Sequence, residues 1–321
     1  MMEPRENPDL FGHEAAERTV EDAIAGGRMH HAWLITGKEG IGKATLAYRL
    51  ARRLLTPDGD PNDPASPVFR RVAKASHADQ LTVEREWDER RKRRRTDIVV
   101  DDARDIAGFL RLTPAEGGWR VVVVDGAEHL NRNAANALLK VLEEPPARAV
   151  LLLTCAAPGR LLPTIRSRCR RLPLLPLGDA DMRRVLAKIL PEQDDAALIA
   201  IAAGSPGRAA LLAEEGGVAI ATLVDEVLAA PKVTITRAYE VADRLARSEG
   251  AYSTFMDLLR DRLGAAVRQA ARGKQAPLMG RRPLGEWGEV WHALGRLQDE
   301  TERANLDKRH AIVAGLDLLN A

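Results

Sequence analysis

The glycine-rich segment GKEGIGKAT at residues 37–45 constrains the fold of this chain more than any other feature. The apolar run at 32–36 predicts a buried strand before it, and apolar residues at steps of three and four over 46–55 predict a helix after it. A strand, a glycine loop and a helix in this order are the setting of a phosphate-binding loop. Glycines let the backbone turn tightly, so that its N–H groups point inward at phosphate oxygens, while Lys43 and the helix start add positive charge.

The spacing predicts a nucleotide-binding loop formed by Gly37, Gly40, Ile41, Gly42, Lys43, Ala44 and Thr45. The alternative is a glycine-rich turn that holds no ligand. One position departs from the pattern, which places a serine or threonine directly after the lysine as a magnesium ligand. Ala44 stands there, and Thr45 lies about 100° further around the helix, where it is poorly placed to substitute.

A second strand followed by an acid is predicted at residues 119–125, WRVVVVD. A continuous β-branched run is typical of a buried central strand in a parallel sheet, and Asp125 then emerges at the carboxyl edge, where such sheets bind ligands. This is the position of a carboxylate that holds magnesium through water. The active form of the motif has a glutamate next, to orient the attacking water, but Gly126 follows here and Glu128 is expected on a turn.

Composition bounds the class of protein. The 321 residues exceed what one core usually organises, and the net charge of +2 (48 basic less 46 acidic residues) does not by itself imply a polyanion partner. Two cysteines, Cys155 and Cys169, are too few for a disulfide framework or a four-cysteine zinc site, so a cytoplasmic location is expected. The polar first residues and the lack of an 18-residue apolar run argue against a secretory signal and a membrane span.

Residues 56–97 form an insert with two unusual stretches. Four prolines over 56–67 exclude regular structure there, and six consecutive basic residues run from Arg90 to Arg95. The basic run could contact nucleic-acid phosphates, but the acids that precede it favour a solvated face.

Further strands and helices follow in alternation. The spacing predicts a helix over 131–144, a buried strand over 149–154 whose end at Thr154, Cys155 and Ala156 offers little polarity, and only helices after 179. The chain is therefore predicted to be an α/β protein with a parallel sheet, followed by helices.

Four motifs in order and spacing make the chain resemble the delta-prime family of bacterial DNA polymerase III clamp-loader subunits. They are HHAWL at 30–34 before the glycine loop, VDGAE at 124–128, NALLKVLEEPP at 136–146 and LPTIRSRC at 162–169. The resemblance is strong over about 8–175, weaker through GSPGR at 204–208 and only architectural after 217.

The resemblance implies an AAA+-type fold in three domains. These are a nucleotide-binding α/β domain at 1–175, a small helical lid at 176–217 and a helical collar at 218–321. It also implies a hetero-oligomeric ring with gamma/tau-type and delta-type partner subunits, which acts on a sliding clamp and primed DNA. In such rings an arginine at the position of Arg168 reaches the ATP of the neighbouring subunit.

Two departures from the family shape the expected function. The family often carries a cysteine-ligated zinc in the insert, and no cysteine occurs at 56–97, so no zinc is expected. The phosphate loop is also more intact than in relatives said to bind no nucleotide, which predicts ATP or ADP binding. Ala44 and Gly126 predict that this binding occurs without turnover, hence a subunit that is not an enzyme on its own. The alternatives are a self-sufficient P-loop ATPase acting on DNA and a small-molecule phosphotransferase.

Overall fold

The computed structural model describes residues 2–56, 58–89, 93–191, 195–246, 248, 250–274 and 277–320. The chain divides into two compact units. The first comprises Met1–Pro191 and Ala203–Arg208, and the second comprises Glu192–Ala202 and Ala209–Ala321. The division into three domains at 175 and 217 stays a prediction.

The first unit is built on a five-stranded parallel sheet. The strands of the chain are β1 (Ala32–Thr36), β2 (Gln80–Val83), β3 (Trp87–Asp88), β4 (Arg93–Arg94), β5 (Arg120–Val124), β6 (Ala149–Cys155) and β7 (Arg170–Pro173). Strands β3 and β4 form a separate antiparallel hairpin, and the others follow the order β2-β5-β6-β1-β7. Every residue of β1, β5 and β6 is buried, as the continuous apolar runs predicted.

Helices cover both faces of this sheet. They are α1 (Glu14–Ala25), α2 (Lys43–Leu55), α3 (Pro67–Ala73), α4 (Val100–Arg111), α5 (Arg132–Glu143), α6 (Pro163–Arg168) and α7 (Asp179–Ile189). Helix α2 packs on one face, against β1, β5 and β6. The other face forms one apolar core with α4, α5 and α6, to which Leu34, Val122 and Leu151 contribute from the strands.

The insert contains a strand that was not predicted from the sequence. Strand β2 lies within residues 56–97 and pairs with β5 at the edge of the sheet. After the insert, helix α4 begins at Val100. Asp102 lies in its first turn and accepts a hydrogen bond from the Val99 amide at 2.8 Å.

The second unit contains only helices among its described residues. They are α8 (Asp195–Ala202), α9 (Pro206–Glu214, of which the first three residues belong to the first unit), α10 (Gly217–Ala229), α11 (Ile235–Leu245), α12 (Ala251–Ala271), α13 (Leu284–Ala304) and α14 (Lys308–Asp317). Phe255 and Leu259 of α12 and Trp287 and Leu294 of α13 are fully buried. The predicted fold class, a parallel α/β sheet followed by helices, is confirmed.

Within the described ranges, no single helix is long and apolar enough to cross a membrane. Ala196–Ala202 and Pro206–Glu214 meet that length and composition only together, as a bent pair.

Candidate nucleotide-binding site

A cavity of about 720 Å³ lies at the carboxyl edge of the sheet in the first unit. This volume is within the range of small-molecule and cofactor sites. Its walls come from the phosphate loop after β1, the ends of β5 and β6, the N-terminal residues before α1, helix α7 and the hairpin β3–β4. Of the predicted binding residues, it is lined by Gly40, Ile41, Gly42, Lys43, Ala44, Thr45 and Asp125, whereas Gly37 and Arg168 lie outside the described lining.

The phosphate loop presents free backbone donors to this cavity. Gly42 precedes helix α2 with φ +107°, a backbone conformation that favours glycine, and no described side chain caps the helix. The first-turn amides of a helix have no partner within the helix, so those of α2 remain available to an anion. The Lys43 ammonium donates to the Lys38 carbonyl at 2.8 Å within the loop. These features fit a bound phosphate group.

The charge of Lys43 is set by burial and by acids around it. Burial lowers the pKa of the Lys43 ammonium, and the carboxylates of Glu128, Glu39 and Asp125 act in the opposite direction. A phosphate would replace water as the neighbour of this ammonium and would favour its charged form.

Three residues distant in sequence hold the loop in place. The Ser205 hydroxyl donates to the Glu39 carbonyl at 2.8 Å, and the Gly207 amide donates to the Gly40 carbonyl at 2.9 Å. From the other side, the buried His13 ring donates through Nε2 to the Ile41 carbonyl at 2.8 Å. The loop is therefore held mainly through its carbonyls. Its Gly37 amide donates to the Cys155 carbonyl at 3.3 Å, and the first-turn amides of α2 remain for a ligand.

The ends of β5 and β6 meet through one hydroxyl. Thr154 Oγ1 donates to Asp125 Oδ1 at 2.5 Å and accepts from the Gly126 amide at 2.9 Å. Thr154 also lines the cavity. Thr154 therefore positions the Asp125 carboxylate, a role that was not predicted. Its proton is engaged in that hydrogen bond, so the prediction that this strand end offers little polarity to a ligand still stands as a prediction.

Glu128 brings a second carboxylate to the same cavity. Its Oε1 atom accepts from the Ala156 amide at 2.7 Å, and its Oε2 atom is buried without a described hydrogen-bond partner. Burial, followed by the nearby Glu128 carboxylate, raises the pKa of the Cys155 thiol to about 12. The residue lies in a short 3-10 helix, Ala127–His129, which matches the predicted turn.

Apolar side chains, one of them aromatic, also line the cavity. Leu10, Phe11, Leu177, Val185 and Ile189 line it. Such a surface suits the planar base of a nucleotide, which buries apolar area, while the phosphate loop holds the charged end.

The residue directly after Lys43 offers no oxygen ligand to magnesium. Ala44 lines the cavity without an oxygen donor, and Thr45 on the next position also lines it but is 8% exposed. In the described part of the chain, no group of three histidine, cysteine, aspartate or glutamate side chains is placed to hold a metal ion.

Arg168 is the last residue of α6. Its Nη2 atom forms an ion pair with Glu143 Oε1 at 2.8 Å, and its side chain is 36% exposed. Because the described residues around the phosphate loop do not include it, Arg168 is not part of this chain's own cavity.

Several residues of the site escaped the sequence analysis. His13, Ser205 and Gly207 hold the loop, and residues before α1 and in α7 line the cavity. Ser205 and Gly207 belong to the GSPGR motif at 204–208, which the sequence analysis noted as a family feature without assigning it to the site. The contacts themselves join residues about 165 positions apart and have no local signal.

Comparisons with known proteins converge on one family. A sequence model described as "DNA polymerase III, delta subunit" matches residues 12–178 of the chain. The DNA polymerase III subunit delta' of Pseudomonas aeruginosa is 40% identical over 198 residues, which are 60% of this chain and 58% of that protein. Subunit tau of Escherichia coli K12 is 31% identical over 192 residues, which are 59% of this chain and 28% of that protein.

The chain thus spans less than two thirds of the length of these sequence relatives. Among solved structures, a DNA polymerase III gamma subunit-related protein of Thermotoga maritima aligns over 95% of this chain and 97% of its own. The identity is 20% and the TM-score is 0.42.

Proposed function

Because the chain belongs to the DNA polymerase III delta-subunit family, we propose that it is a delta-prime-like, non-hydrolysing subunit of a clamp loader. In this role it joins gamma/tau-type and delta-type subunits in a ring that loads a sliding clamp onto primed DNA. The partner subunits hydrolyse the ATP. One observation carries the proposal: a single cavity combines an uncapped phosphate loop with Ala44 and Gly126, which lack the magnesium-binding hydroxyl and the water-orienting carboxylate.

Nucleotide binding without turnover is expected because different residues bind the phosphates and position the groups needed for hydrolysis. The loop amides and Lys43 make the phosphate contacts, and both are present. When ATP is bound, the magnesium ion and an oriented water supply the chemistry of phosphoryl transfer. Loss of the groups that position them costs several kcal/mol of barrier, about tenfold in rate for each 1.36 kcal/mol.

The isolated chain tests both halves of this proposal. ATP or ADP at a hundred times its dissociation constant should stabilise the fold by about 2.7 kcal/mol and raise its melting temperature. The Lys43→Ala variant should lose that shift. Phosphate release by the pure chain should stay far below the roughly one per second of slower enzymes. An unmoved melting temperature would refute binding, and steady turnover at that rate would refute the non-hydrolysing role.

One observation favours a self-sufficient ATPase as the second candidate. The Oε2 atom of Glu128 is buried beside the cavity without a described hydrogen-bond partner, so this carboxylate could orient a water in place of Gly126. Turnover that disappears in Glu128→Gln while nucleotide binding survives would establish this candidate instead.

We further propose that Arg168 completes the ATP site of a neighbouring subunit. Its place at the end of α6, its partial exposure and its position outside this chain's described cavity lining support a role in trans. A guanidinium remains charged and can fork onto two phosphate oxygens. The measurement that tests this role is the ATPase rate of the assembled complex carrying Arg168→Ala.

A further inference from the structure

A basic hairpin lies beside the candidate nucleotide site and has no part in the function proposed so far. We define it as residues 84–89 and 93–95, which contain β3 and β4. The structure describes only part of the predicted basic run. Arg90, Arg91 and Lys92 lie outside the described residues, and Arg93, Arg94 and Arg95 lie within them. The hairpin follows directly on β2.

The strand order brings this hairpin to the cavity. Val83, the last residue of β2, pairs with Val124, and its carbonyl accepts a hydrogen bond from the Asp125 amide at 2.8 Å. The sheet order β2-β5-β6-β1 therefore lines up four carboxyl ends along one edge. Arg85 follows β2, Asp125 follows β5, Thr154 lies near the end of β6, and the phosphate loop follows β1. Arg85 and Arg94 line the same cavity as Lys43.

The arginines of the basic hairpin differ in their partners. Arg94 pairs with Glu84 at 2.6 Å, and Arg95 pairs with Glu86 at 2.6 Å. The half-buried guanidinium of Arg85 has no hydrogen bond or ion pair to any residue that the structure describes. Its charge nevertheless acts inside the site: after burial, Arg85 is the next cause that lowers the pKa of His129, which also lines the cavity.

An unpaired cation in this place has a specific chemical use. The cavity contains the carboxylates of Glu39, Asp125 and Glu128, which repel phosphate oxygens. Magnesium normally offsets such repulsion, but Ala44 has removed one of its ligands. A guanidinium supplies a permanent charge and two parallel donors, and it needs neither a metal ion nor a hydroxyl ligand.

We propose that Arg85 binds the outermost phosphate of a nucleoside triphosphate held by the phosphate loop of the same chain. This inference rests on the proposed nucleotide binding and goes beyond it, because it gives the basic hairpin a role in distinguishing ATP from ADP. Arg85 lies three strands away from the loop along the sheet edge, so it is placed for the distal end of a polyphosphate and not for the phosphates nearest the sugar.

The experiment is calorimetric titration of the full chain with ATP and with ADP, each with and without magnesium. We expect the unmodified chain to prefer ATP. Loss of a charge-assisted, forked contact in Arg85→Ala should weaken ATP binding about tenfold to a hundredfold and change ADP binding less than about threefold. The matched control is Arg95→Ala in the same hairpin, which removes the same charge from a residue outside the described cavity lining.

A second readout does not depend on nucleotide. In Arg85→Ala, the pKa of His129 measured by NMR should rise, because the repelling charge is gone. Arg95→Ala should leave that pKa where it is. This measurement shows whether Arg85 acts at the cavity in solution.

The outcomes separate the two proposals. If the unmodified chain binds neither nucleotide, the proposed nucleotide binding fails. If it binds ATP and ADP, and Arg85→Ala weakens both equally or neither, the role of Arg85 is overturned while nucleotide binding stands. Selective loss of ATP affinity in Arg85→Ala alone supports the inference.

Discussion

At the scale of single residues, His77 shows how the fold depends on an uncharged side chain. Its Nδ1 atom accepts a hydrogen bond from the Asp79 amide at 3.1 Å, and the residue is 4% exposed. Burial, and then the charge of Arg71, hold the pKa of His77 below its ordinary value of 6.5. The unfolded chain therefore binds this proton first as the pH falls, so the free energy of unfolding decreases below about pH 6.5.

Urea unfolding at about pH 7.5 and about pH 5.5 tests this prediction. Between these two pH values, the free energy of unfolding should decrease less in His77→Asn than in the unmodified chain, because an amide oxygen accepts the same hydrogen bond without titrating. His292→Asn, at an exposed site on α13, is the control, and equal losses with and without His77 would contradict the prediction.

At the scale of elements, the phosphate loop depends on the segment that leads into α9. A Cβ atom on Gly207 would lie 2.7 Å from the Gly40 Cα atom and 3.0 Å from its carbonyl oxygen. Both neighbours are backbone and cannot move aside as a flexible side chain would.

We expect Gly207→Ala to lower the free energy of unfolding by about 1–3 kcal/mol and to weaken ATP binding, as urea unfolding and calorimetry would measure. The control is Gly108→Ala in α4, where a Cβ meets no atom within 4 Å and helix propensity should add about 0.5–1 kcal/mol. If both alanines are tolerated equally, the loop is not held through Gly207.

Some of these strands, loops and helices could be predicted from the sequence, and others could not. The continuous apolar run of β5 and the strand, loop and helix at 32–55 were predicted because their signals are local. Strand β2 was not predicted, since its alternation of polar and apolar residues spans only Gln80–Val83 and pairing with β5 completes the strand. Thr154 was undervalued for a related reason: its partner, Asp125, lies 29 positions away. A single sequence contains no local pattern that identifies a contact between residues so far apart along the chain.

At the scale of the whole molecule, the role proposed for Arg168 can be tested only in the assembled complex. In a complete clamp loader, Arg168→Ala should leave assembly intact, because an ion pair as exposed as that with Glu143 contributes at most about 1 kcal/mol. A residue of this kind contributes about 10³ to 10⁵ in rate at the site it serves, so total ATPase should fall partially and clamp loading should fall more. Arg168→Lys should also be defective, since an ammonium keeps the charge but lacks the two parallel N–H donors of a guanidinium.

The control is Glu143→Gln, which breaks the same ion pair and should leave the ATPase rate unchanged. Equal effects of Arg168→Ala and Glu143→Gln would reduce Arg168 to a local salt bridge.

The edge position of β2 has a consequence for anyone who redesigns this protein. The insert after α2 looks like an appendage in the sequence, yet four of its residues complete the central sheet and set the site's outer border. Replacing only the stretch from residue 84 to residue 95, not the whole of 56–97, therefore leaves every strand of the central sheet in place, and such a replacement loses the phosphate contact proposed for Arg85. A chimera that grafts another module into the insert should join it after Val83. A cut before Gln80 would strip the sheet's border strand and expose the unpaired backbone of β5 to solvent and to other chains.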